Sequence, residues 1–189
     1  SLKINHINSQ KKSYKNTAIF LSNETKIYDF KGIFDDKTNQ KILKLLKINI
    51  KNKVNKIHSL NIDFDTKIII ILLGKSNDFF QSEKIGAQLY DYVKNNDVND
   101  VLILGSNFSS VKNKIKFDSF IHGAKLKSYE FNFYKSKKIN KLINFNILLK
   151  KNLSKPETRK NLDALLNGVN FTKDLVSEPG NILHPDEYA

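Results

Sequence analysis

The run Ile68-Ile69-Ile70-Ile71-Leu72-Leu73, closed by Gly74, limits the fold more than any other stretch of the chain. A strand with one wet face alternates apolar and polar residues; this one has no polar residue to turn outward. It must be covered on both faces, as happens when helices flank a mostly parallel sheet. The residues that follow fit such a frame. Phe80 to Lys94 reads as a helix, with Ile85, Leu89, Tyr92 and Val93 spaced i, i+4, i+7 and i+8. Asp97 to Asp100 is a polar break, and Val101-Leu102-Ile103-Leu104-Gly105 is a second buried strand. Strand, glycine, helix and strand make a βαβ unit, whose crossover favours parallel pairing.

The rest of the chain repeats these two periods. Leu2 to Ile7 alternates like a half-buried strand, Ala18 to Leu21 is another, and Ile57 to Ile62 a third. Helices are expected from Asn39 to Ile48 and from Asp118 to Lys127, and Ile139 to Leu149 reads as a last strand or strand pair. The expected fold class is α/β: a three-layer α/β/α domain with a mixed, mostly parallel sheet over residues 1–153. Gly86 and Gly123 lie inside helical patterns, where each costs about 1 kcal/mol relative to Ala. Close packing of helix on sheet is the simplest reason to keep them.

A different composition begins near residue 155. Residues 1–155 hold 29 basic and 13 acidic side chains, whereas 156–189 hold 3 and 6 and all three prolines. A last long helix is expected from Ser154-Lys155-Pro156-Glu157, a capping box with Pro in the first turn, and its apolar stripe is Leu162, Leu165, Leu166 and Val169. Glu178-Pro179-Gly180-Asn181 stops it. A further helix opens at His184-Pro185-Asp186-Glu187 and is cut at Ala189, so a longer parent is expected. The boundary is placed between 153 and 154.

Of the 32 basic residues only Arg159 is Arg, and the chain also holds 24 Asn and 22 Ile. Lys, Asn and Ile are the residues of A/T-rich codons, so the net charge of +13 is read first as composition. Arg supplies the planar fork that grips phosphate and guanine edges; Lys offers a hydrated point charge. A lysine surface can still hold a polyanion without reading its sequence. The best such place is Lys135, Lys137, Lys138 and Lys141 beside Tyr129, Phe131, Phe133 and Tyr134, although aromatics at 129, 131 and 133 read more simply as one face of a strand.

Catalytic spacings are missing. His6, His58, His122 and His184 have no partner at i+3 or i+4, and structural or surface roles are expected for all four. Leu73-Gly74-Lys75-Ser76-Asn77 sits where phosphate loops occur but matches neither GxxxxGK[ST] nor GxGxxG, and reads as an ordinary turn. Asp35-Asp36 and Asp63/Asp65 read as turn residues. There is no Cys, hence no disulfide or thiolate chemistry, and no apolar run reaches the ~20 residues of a membrane span.

The tail from Gly168 to Ala189 resembles the segment joining the two domains of leucyl (cytosol) aminopeptidases. Asp174, Leu175, Val176, Pro179, Asn181, Leu183, Pro185 and Ala189 fit that pattern, while Lys173, Ser177 and His184 stand where Arg, Asn and Thr are usual. Gly123 to Ser136 is similar to the family's Gly-x-x-Leu-x-Ser-Tyr-x-Phe-x-x-Tyr-Lys stretch. The resemblance implies a non-catalytic, macrodomain-like amino-terminal domain, followed by a catalytic domain with two divalent metals, Zn or Mn. It also implies a cytoplasmic hydrolase that removes amino-terminal residues from peptides, commonly as a homo-hexamer. The family's metal-ligand motifs do not occur here, so no residue of this chain receives a catalytic, cofactor-binding or metal role. Further candidates are a nucleic-acid or nucleotide-binding domain and, lacking the expected glycine-rich loop, an ADP-ribose binder.

Overall fold

The computed structural model describes residues 1–8, 14–21, 33–49, 56–73, 78–105, 116–135, 141–148 and 156–179. Six strands form one sheet: β1 (Leu2–Ile7), β2 (Asn16–Leu21), β3 (Lys56–Asn61), β4 (Lys67–Leu72), β5 (Asp100–Leu104) and β6 (Ile143–Leu148). Their spatial order is β1-β6-β5-β2-β4-β3, and every pairing is parallel except the antiparallel edge pair β3–β4. The helices are α1 (Asp36–Asn49), α2 (Phe79–Asn95), α3 (Phe117–Lys127) and α4 (Pro156–Ser177).

The central strands are covered on both sides, as the isoleucine run requires. Ile69, Ile71, Val101, Ile103, Phe145 and Ile147 face α2 and α3, in a core that includes the edge-to-face pair Phe20–Phe120 at 5.5 Å. Ile68, Ile70, Leu72, Leu102 and Leu104 face the other way, toward Ile42 and Leu45 of α1. These are the three expected layers. The βαβ expectation needs one amendment: β4 and β5 run parallel, but β2 lies between them and pairs with both. Periodicity gives a strand's direction and burial, and its neighbour is decided by which edges meet.

Local chemistry explains the junctions. The β3–β4 turn is held by the Asp63 carboxylate, which accepts from the backbone N–H groups of Asp65 and Thr66. Asp35 accepts from the Thr38 N–H and caps α1. Past α2, Asp97 takes φ 55°, while Val98 N–H bonds the Val93 carbonyl and Asp97 N–H that of Lys94. That is a Schellman ending with Asp in the place usually held by Gly. Asn146 is buried in β6 and satisfied across the sheet: it donates to Asp100 at 2.5 Å and accepts from Asn5 at 3.0 Å.

Two sequence expectations change. Residues 129–135 are not a strand; the chain leaves α3 through a turn and runs irregularly, so the alternating aromatics do not line one sheet face. Gly86 and Gly123 answer to helix-on-helix contact rather than helix-on-sheet contact. A Cβ at Gly86 would lie 1.9 Å from the Phe120 carbonyl oxygen, and one at Gly123 would lie 1.9 Å from that of Glu83. The strand expected between Ile139 and Leu149 is present over Ile143–Leu148, while residues 139, 140 and 149 lie outside the described residues. Ser154, the 74–77 turn and His184 lie outside the described residues.

Candidate functional site: the α4 seat and a lysine-rimmed groove

Helix α4 lies against α3 through few apolar and several polar contacts. Leu162 is its buried residue, whereas Leu165, Phe171 and Val176 are exposed. Polar handles run its length. Lys125 on α3 meets Asp163 at 2.7 Å, and the Tyr129 hydroxyl donates to Asp174 at 2.6 Å. Tyr134 donates to Glu178, and the Lys173 ammonium sits 5.0 Å from the centre of the Tyr129 ring. Partial burial and the Asp174 carboxylate push the Tyr129 phenol up, and the Glu178 carboxylate does the same to Tyr134, so both stay protonated donors.

At the head of this seat, β1, α3 and α4 enclose a cavity of about 30 Å³, lined in part by His6, His122, Asp118, Lys125, Arg159 and Asp163. Sequence spacing gave no reason to associate His6 with His122, because they come from different elements. His122 is buried with Nε2 3.7 Å from Glu83. Burial first, and then the positive charge of Lys125, hold its pKa below 6.5 despite Glu83 and Asp163; burial and Arg159 do the same for His6 despite Asp118. In the unfolded chain both histidines regain ordinary affinity for protons. Their contribution to stability is therefore complete above the unfolded value of 6.5 and is lost as pH falls below it. The urea midpoint is expected to drop between pH 7.5 and 5, before the carboxylates titrate, and His122→Gln should flatten that drop. An unchanged midpoint across this range would contradict the buried neutral imidazoles.

Between α2 and residues 130–135, a groove of about 520 Å³ is lined by Tyr90, Lys94, Glu130, Phe131, Asn132, Lys135, Lys141 and Ile143. Lys94 bonds Glu130 at 2.5 Å, which raises the lysine pKa and lowers that of the carboxyl. Lys141 bonds Asp97 at 2.6 Å and holds that carboxyl down. Of the expected lysine cluster, Lys135 and Lys141 therefore share this groove, while Lys137 and Lys138 lie outside the described residues. Sequence reasoning missed Lys94 and Tyr90, which come from α2 and meet the cluster only through the fold.

The described residues contain no group of three or more His, Asp or Glu able to hold a metal ion, and they do not fit a dinuclear centre. No helix among them is long and apolar enough to cross a membrane.

The described residues form a three-layer α/β domain with a mixed, mostly parallel sheet and the polar-tethered helix α4. Residues 11–138 match the model of the cytosol aminopeptidase family, N-terminal domain, and the chain belongs to that family. A probable cytosol aminopeptidase of Ehrlichia ruminantium (strain Gardel) is 32% identical over 129 residues, which is 65% of this chain and 25% of that protein. One from Phytoplasma mali (strain AT) is 41% identical over 77 residues, 38% of this chain and 16% of the relative. The chain thus spans about a quarter or less of the relatives it matches. Among solved structures, a mutant tomato leucine aminopeptidase shares the fold at TM-score 0.65 and 16% identity, covering 98% of this chain and 40% of the other. The bottromycin maturation enzyme BotP in complex with Mn does so at TM-score 0.57 and 11% identity, covering 93% and 34%.

Proposed function

We propose that this chain is the amino-terminal, non-catalytic part of an aminopeptidase that hydrolyses amino-terminal residues from peptides in the cytoplasm. Residues 1–153 would be the non-catalytic domain and 154–189 the connection into a catalytic domain. The observation that carries this reading is the match of 11–138 to the amino-terminal domain of the family. The quarter-length coverage of the Ehrlichia relative supports it, leaving ample room for a separate catalytic part.

In this reading two divalent metals, Zn or Mn, would be held by residues of the catalytic domain and would supply the Lewis-acid chemistry of peptide hydrolysis there. The amino-terminal part would contribute a folded body and the seat of α4. It also offers surface for assembly of the parent into a homo-hexamer. The 189-residue chain supplied with Mn or Zn is expected to leave leucine p-nitroanilide intact. Turnover that survives repurification and disappears with a chelator would overturn the division of labour.

A further inference from the structure

We propose that the groove between α2 and residues 130–135 binds a small anion carrying a flat aromatic group, of the kind a nucleoside monophosphate represents. Its volume, about 520 Å³, lies within the range of small-ligand sites. Its lining divides by chemistry. Phe131 supplies partly exposed apolar surface beside the buried Tyr90 and Ile143, Asn132 a neutral amide, and Lys94, Lys135 and Lys141 positive charge.

The pairing of those charges decides what the groove attracts. Glu130 is neutralised by Lys94 and also accepts from Asn132 at 3.4 Å, so it is fixed in the wall rather than presented to a ligand. Lys135 is exposed and makes no ion pair among the described residues. Lys141 pairs with an Asp97 side chain that is 93% exposed, and such a pair is readily exchanged for a better anion. The groove therefore offers two ammonium groups to one dianion. Lysines suit a phosphate as point charges and do not demand the bidentate geometry of Arg. Phe131 is only partly buried and packs at an angle on Phe133 and Tyr134, at 5.5 and 5.9 Å, which braces a ring able to stack on a ligand.

The site also has a mechanical position. Tyr129 and Tyr134 tie the same segment to Asp174 of α4 and to Glu178 just past its end, so an occupant of the groove touches the strap that seats α4.

The test titrates the 189-residue chain with AMP, with inorganic phosphate and with a single-stranded oligothymidine, following backbone NMR shifts. AMP is expected to shift Tyr90, Lys94, residues 130–135 and residues 141–143, and to bind about fivefold or more tighter than phosphate, since ring stacking favours it by at least that factor. Lys135→Gln with Lys141→Gln should weaken AMP by about tenfold, because both charges that meet the phosphate are removed. Phe131→Leu should reduce AMP to the affinity of phosphate. Equal affinities of AMP and phosphate for the wild-type chain, or AMP binding that survives the double lysine substitution in a folded protein, would overturn the proposal. So would an oligothymidine that binds far tighter than AMP across a wider surface, which would make the groove one stretch of a nucleic-acid track.

Discussion

Gly123→Ala is expected to cost about 3 kcal/mol or more of folding stability, among the largest effects of any single methyl group in this molecule. The added Cβ would sit 1.9 Å from the Glu83 carbonyl oxygen and 2.6 Å from its carbon. Those are backbone atoms of α2, so no side chain can swing away and the two helices must separate. Gly86→Ala meets the same obstacle from the other side, 1.9 Å from the Phe120 carbonyl oxygen. Separation of α2 and α3 would also loosen what their contact holds. Phe120 packs edge-to-face on Phe20 of the sheet, and the Ser82 hydroxyl accepts the Lys116 N–H at the start of α3. For a domain of this size the melting temperature should fall by about 6–12 °C. Gly168→Ala is the matched control: it adds the same methyl to α4 with nothing within 4 Å, and should stabilise by about 0.5–1 kcal/mol through helix propensity alone. Equal effects at Gly123 and Gly168 in thermal melts would remove the close-contact account.

The contrast among these glycines shows what the sequence could and could not convey. Burial on both faces of a strand leaves a mark in the chain itself, so the runs at 68–73 and 101–104 announced a flanked sheet, and 3.6-residue periods located the four helices. A glycine inside a helical pattern says only that some neighbour comes close. Whether that neighbour is sheet or helix depends on how α2 and α3 cross, which no local pattern records. The same limit explains residues 129–135. Their alternation imitates a strand, but Tyr129 and Tyr134 are drawn to Asp174 and Glu178, and those tertiary partners outweigh a weak local preference. The groove was half visible, because Lys135 and Lys141 are close in sequence while Lys94 and Tyr90 arrive from a helix some forty residues earlier. Asn144 and Asn146 weaken the apolar signature of β6. The bonds of Asn146 to Asn5 and Asp100 become intelligible only once β1 and β5 are known to flank that strand.

Leu162→Asp is expected to release α4 while leaving the sheet folded. Leu162 is 9% exposed and is the buried apolar residue of α4 among the described residues, whereas Leu165 is 52% exposed. Removing a leucine of this kind from its seat forfeits about 2–3 kcal/mol, and the new carboxylate adds repulsion toward Asp118 and Asp163, which line the same small cavity. The remaining contacts are the partly buried Leu166, Val169 and Leu175, hydrogen bonds such as Tyr129–Asp174, and the Lys125–Asp163 pair, which with side chains 31% and 45% exposed contributes less than about 1 kcal/mol. They cannot replace the lost apolar anchor. Amide exchange in residues 160–177 should therefore accelerate about 100-fold or more, while β2, β4 and β5 keep their protection. Asp163→Asn should change exchange in α4 only a few-fold, because it removes a screened pair and leaves Leu162 in place. If Leu162→Asp instead unfolds sheet and helix together in one transition, α4 is an integral layer of the domain and the boundary at 153/154 is misplaced. If only α4 is freed, the helix is a separately seated arm whose attachment rests chiefly on Leu162, with partly buried Leu166, Val169 and Leu175 and a row of exchangeable polar contacts beside it.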